Sequence, residues 1–133
     1  ISLTPGRPVE TLVAILNSGV KGIILRGFGP GNIPYEYLEA IKLANKKKVP
    51  ILVSTQCLEG ETAMHLYDVG KKALDLGCIE TYDMSLESIT TKLMWALKHF
   101  PYEKIKSVMH KNYTGEIRVQ LPTSPPIKCK KSS

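Results

Sequence analysis

Arg26 and Asn32 bracket a stretch with little side-chain bulk, Arg26-Gly-Phe-Gly-Pro-Gly-Asn32. A guanidinium offers a carboxylate two parallel hydrogen bonds. Three glycines and one proline in these seven residues let the main chain come close to a ligand. Asn32 stands just ahead of a helix expected to begin at Pro34, where free backbone N–H groups favour an anion. The chemistry this combination suits is capture of a small acidic or zwitterionic molecule. Thr4, Thr55, Gln56, Cys57 and Asp83 are further polar residues, each of which closes or follows a short apolar run.

The elements that must position these residues alternate between strand and helix. Ile1 to Leu3 reads as the end of a strand. Val9, Leu12, Val13 and Leu16 then fall at helical spacing between Pro8 and Gly19. Gly22 to Leu25 and Val49 to Ser54 are wholly apolar strands, as expected when both faces of a sheet are covered. Helices are predicted over Pro34 to Lys46, over Val69 to Leu76 with a stop at Gly77, after a Ser85 cap, and from Pro101. Cys78 to Tyr82 gives a weaker fourth strand. The pattern predicts an α/β fold: a small three-layer domain with a roughly four-stranded parallel sheet flanked by helices. In such a sheet all strands end at one edge, and ligands bind in the crevice outside it. Thr4, Arg26, Thr55, Gln56, Cys57 and Asp83 would then share one rim.

Each of these residues also has an ordinary explanation. Arg26 can be a solvated rim residue, Asn32 a helix cap, Cys57 a small filler, and Asp83 a group orienting the next helix. Glu59 and Glu61 read equally well as loop carboxylates. His65, His99 and His110 lie too far apart in sequence to suggest a triad or a metal site. Thr90, Thr91 and Lys92 are adjacent on a helix, so they point in different directions and form no nucleophile–base pair. The sequence has no nucleophile elbow, phosphate loop, dinucleotide fingerprint or metal-ligand spacing. The catalytic inventory is therefore thin: the residues alone support a ligand-binding α/β module, with no metal and no cofactor expected.

Composition excludes further classes. At 133 residues, 43% hydrophobic and 23% charged, the chain suits one ordinary globular domain. No apolar run spans a bilayer, which argues against a membrane protein. The three cysteines, Cys57, Cys78 and Cys129, are odd in number and suit neither a disulfide framework nor zinc; a cytoplasmic location is expected. The net charge of +6 does not imply nucleic acid, because its lysines concentrate at one helix end (Lys46, Lys47, Lys48) and near the C-terminus (Lys128, Lys130, Lys131). Residues 119–133 are expected to be a polar, disordered tail following a domain over 1–118. Ile1 falls inside a strand pattern, so the chain reads as a piece of something longer.

Several segments carry a family likeness. Leu25-Arg-Gly-Phe-Gly-Pro-Gly-Asn-Ile-Pro34, Val53-Ser-Thr-Gln-Cys-Leu-Glu-Gly60, Tyr82-Asp-Met-Ser-Leu-Glu87 with Thr91-Lys-Leu-Met-Trp95, and Asn112-Tyr-Thr-Gly-Glu116 resemble the C-terminal domain of type I (cytosolic) L-asparaginases. They occur in that family's order and spacing, over about residues 3–118. The resemblance implies hydrolysis of L-asparagine to aspartate and ammonia, with the catalytic threonines, aspartate and lysine on an N-terminal domain that this chain lacks. It implies that the chain is inactive alone, partners its own N-terminal domain, and forms a homodimer or a dimer of dimers. Asn32 matches a residue that reaches the neighbouring subunit's active site. Arg26, Asn32, Thr55 and Cys57 match residues of a regulatory asparagine site found in allosteric members. A second cross-subunit carboxylate belongs to the loop holding Glu59 and Glu61.

Two other readings stand beside this one. The equivalent domain of an archaeal glutamyl-tRNA amidotransferase subunit is related, though its motifs around Arg26 and Cys57 fit less well. A stand-alone module that binds an amino acid for regulation would need no catalytic partner.

Overall fold

The structure is a computed structural model, and it describes residues 1–118. The element order is α1 (Glu10–Asn17), β1 (Ile23–Gly27), a short 3-10 turn at Tyr35–Tyr37, α2 (Leu38–Lys46), β2 (Ile51–Thr55), a second such turn at Met64–Leu66, α3 (Asp68–Asp75), β3 (Ile79–Glu80), α4 (Leu86–His99) and α5 (Tyr102–His110). The three strands pair in parallel in the order β1-β2-β3. The expected tail over 119–133, with Lys128, Cys129, Lys130 and Lys131, lies outside the described residues.

Among the described residues the sheet has three full strands, in keeping with the roughly four expected. The start of the chain supplies the fourth position only as a single parallel bridge between Ser2 and Arg26. Two main-chain bonds hold it: Leu3 N–H to the Arg26 carbonyl at 3.0 Å, and Arg26 N–H to the Ile1 carbonyl at 2.7 Å. β3 is two residues long because Tyr82 then takes φ +51° and turns the chain away. The helix predicted from Pro34 begins as a 3-10 turn and becomes α-helical only at Leu38. Ser85 caps α4 as predicted, accepting from Ser88 N–H at 3.2 Å.

Strand side chains alternate between two cores, which makes the domain three-layered. Ile23 and Leu25 of β1 and Ile51 and Val53 of β2 pack into one core with Leu12 and Leu16 of α1, Ile41 and Ala44 of α2 and Ala73 of α3. Leu52 and Ile79 enter the other with Ile89, Leu93 and Ala96 of α4 and Ile105, Val108 and Met109 of α5. Burial on both faces is why these strands read as unbroken apolar runs.

One ion pair ties the far end of the domain to α4. Lys92 is buried, and its Nζ donates to the carbonyls of Met109 (2.9 Å) and Lys111 (2.6 Å) and to Glu116 Oε1 (2.7 Å). Burial alone would raise the Glu116 pKa. The hydrogen bonds from Lys92 and from the Thr114 and Tyr113 N–H groups outweigh it and hold the carboxyl well below its ordinary value of 4.5. Trp95 packs edge-on against Tyr113 beside this pair.

Candidate functional site

The carboxyl edge of the sheet gathers most of the rim residues. Arg26 lies within β1, in register with Ser54, and Gly27 is in register with Thr55. The glycine-rich segment then closes into a tight loop. Phe28 N–H donates to the Asn32 carbonyl and Asn32 N–H to the Phe28 carbonyl, both at 2.8 Å. Gly27 is required there: a Cβ would come within 2.7 Å of the Gly31 carbonyl carbon and 2.8 Å of the Asn32 oxygen. Gly31 has φ +93°, which a side chain rarely tolerates.

Neighbouring strands anchor this loop. Thr55 Oγ1 donates to the Gly29 carbonyl at 2.5 Å and accepts from Cys57 N–H at 2.9 Å. Ala63 N–H donates to the Pro30 carbonyl at 2.9 Å. Gln56 works as a clip, its Nε2 donating to the Leu3 carbonyl (2.7 Å) and the Arg26 carbonyl (3.0 Å). The Gln56 amide nitrogen is therefore committed to main chain. Thr55 keeps one lone pair for an incoming donor, because its proton and its other lone pair are in use.

Arg26 and Asn32 are only lightly engaged by the rest of the described chain. Arg26 Nη1 approaches Ser2 Oγ at only 3.5 Å, and its Nε is buried with no hydrogen-bond partner among the described residues. A buried guanidinium N–H left unmatched is a costly arrangement, and a ligand carboxylate would meet the guanidinium through its outer nitrogens. The Asn32 side chain makes no hydrogen bond among the described residues, and the turn after it carries no side-chain cap, so the capping explanation does not hold. Cys57 is exposed rather than a filler.

The remaining candidates are employed elsewhere. Asp83 does not orient α4; its Oδ1 accepts from Arg118 N–H at 2.8 Å. Thr4 and Glu59 are exposed in loops. His65 and His99 are exposed, whereas His110 is half-buried with Nε2 2.8 Å from the Glu80 carbonyl. Burial lowers the His110 pKa below 6.5 and outweighs the opposing bond to Glu80. Among the described residues no group of His, Cys, Asp or Glu could hold a metal, and no helix is long and apolar enough to cross a membrane.

Two features escaped the sequence reading. Lys92 looked like any helix lysine, because its partner Glu116 lies 24 residues away. Arg7 carries a second buried Nε with no partner among the described residues, and its only advance signal was the Pro-Gly-Arg-Pro turn that contains it.

With this geometry in place, comparison with known proteins defines the class. Residues 1–109 match the glutaminase/asparaginase C-terminal domain family, and the chain belongs to that family. It is 41% identical over 121 residues to an L-asparaginase of Thermococcus kodakarensis, covering 88% of this chain and 36% of that protein. It is 35% identical over 118 residues to a glutamyl-tRNA(Gln) amidotransferase subunit of Methanosarcina mazei, covering 88% of this chain and 28% of that one. The solved thermostable L-asparaginase from Thermococcus kodakarensis superposes with a TM-score of 0.84 at 40% identity, over 90% of this chain and 37% of that one. L-asparaginase I from Vibrio cholerae gives 0.83 at 34% identity, over the same shares. The chain thus spans about a third of the relatives it matches.

Proposed function

We propose that this chain is the C-terminal domain of an L-asparaginase that hydrolyses L-asparagine to L-aspartate and ammonia in the cytoplasm. Family membership and 41% identity to an L-asparaginase support that reading. The catalytic threonines belong to a further domain, so this chain alone is inactive. It contributes to dimerisation, and Asn32 reaches the active site of the neighbouring subunit.

Arg26, Asn32, Thr55 and Cys57 form a regulatory site for a second asparagine. The observation that carries this is the Arg26 guanidinium, which sits at the carboxyl edge beside an anchored glycine loop with only a 3.5 Å contact to Ser2 Oγ among the described residues. Arg26 takes the α-carboxylate, while Asn32 Oδ1 and the free Thr55 lone pair accept from the ammonium. The test is Arg26→Ala in the full-length enzyme. Substrate saturation should lose its sigmoidal form while turnover at high asparagine persists; an unchanged sigmoidal curve would sink the assignment.

The matches to amidotransferase subunits favour one alternative, in which the domain serves amide hydrolysis coupled to glutamyl-tRNA. Ammonia release from free asparagine without tRNA separates the two.

A further inference from the structure

A cleft of about 330 Å³ opens between the start of the chain and the 3-10 turn before α2; its walls include Thr4, Arg7, Glu10, Phe28, Glu36 and Tyr37. Tyr37 is 1% exposed, and its hydroxyl donates to the Arg7 carbonyl at 3.1 Å, which fixes the Pro5–Pro8 turn above it. Burial raises the phenol's pKa; Arg7 opposes that shift, and Glu36 and Glu10 reinforce it. All three charges therefore act on one hydroxyl.

These charges do not satisfy one another. No ion pair or side-chain hydrogen bond links Arg7, Glu10 or Glu36 to any described residue, and Arg7 Nε is buried without a partner. Glu10 and Glu36 each stand in the first turn of a helix, where the dipole favours a carboxylate. That accounts for the glutamates; Arg7 lines the same cleft with no carboxylate paired to it, and its Nε is buried without a partner among the described residues.

We propose that this cleft binds a free α-amino acid, with its carboxylate on Arg7 and its ammonium between Glu10 and Glu36. A simple anion would meet two glutamates, and a simple cation would meet Arg7. A zwitterion matches both signs, and the volume suits a small ligand. The argument uses only the charges of this cleft and does not rest on the Arg26 site.

The experiment is a titration of the 133-residue chain, following the backbone amide resonances of residues 4–10 and 36–37 by NMR. Glycine and L-asparagine should give saturable shifts, while acetate and methylamine should not. Arg7→Ala should weaken glycine binding roughly tenfold or more, and Arg26→Ala should leave these shifts in place. The double variant Glu10→Gln/Glu36→Gln, at two exposed positions, keeps the test informative if Arg7→Ala fails to fold; in it acetate should bind as well as glycine. Equal binding of acetate and glycine to the unmodified chain, glycine shifts that survive Arg7→Ala, or no saturable shift with either amino acid would overturn the proposal.

Discussion

Replacing Lys92 by methionine should expose how much the domain depends on one buried pair. The side chains of Lys92 and Glu116 are 7% and 11% exposed, and Nζ serves three acceptors between 2.6 and 2.9 Å. Methionine keeps the stem but leaves two carbonyls and a carboxylate facing an apolar group. Breaking a buried pair from one side costs about 3–5 kcal/mol. A domain of this size loses about 3–5 °C of Tm per kcal/mol, so Tm should fall by roughly 10–25 °C. Differential scanning calorimetry reads it directly. Adding Glu116→Gln to Lys92→Met should recover part of the loss, because the stranded charge goes too.

Acid titration gives the second half of the same test. Glu116 has a folded-state pKa well below 4.5, so its contribution is complete above about that pH. It is lost as pH falls toward the depressed value, because the unfolded chain then binds the proton first. Tm should therefore fall more steeply with acid below pH 4.5 in the parent than in Glu116→Gln. A Lys92→Met variant melting within about 2 °C of the parent, or parallel acid slopes, would show that the pair contributes nothing net.

Two further outcomes are expected. Gly27→Ala should destabilise by about 1–3 kcal/mol, since its Cβ has only main chain of Gly31 and Asn32 to push against; amide shifts confined to residues 27–32 and 55–63 would mark the loop as the element that moves. His110 should titrate below 6.5 by NMR. Its depressed folded-state pKa makes stability rise with pH up to about 6.5, a slope that His110→Gln should flatten.

How much of this was legible follows from the range of each interaction. β1, β2 and the helices were readable because their signals are local: apolar runs, a helical period, the Ser85 cap. Arg26 and Thr55 could be placed at the rim because parallel topology puts every strand end there. The expected first strand shrank to one bridge because it pairs on one side only, with Arg26. Gln56 gave no warning of its role as a main-chain clip, nor Asp83 of its bond to Arg118, 35 residues on. Polar side chains with distant main-chain partners leave no periodic trace. The 3-10 start before α2 was hidden for a different reason, since Pro34 marks a helix start without specifying its hydrogen-bond spacing.

The register of the sheet also bears on how the chain reaches this fold. Ile23 pairs with Ile51 and Leu52 with Ile79, so each pairing closes a loop of about 28 residues, and the entropy of closure is nearly the same for both. Neither has a head start from proximity along the chain. The order of assembly should then follow the reward of contact, and β1–β2, with five residues in register, outbids β2–β3 with two. Substitutions in Leu25 or Val53 should slow refolding, whereas changes in Ile79 should chiefly hasten unfolding.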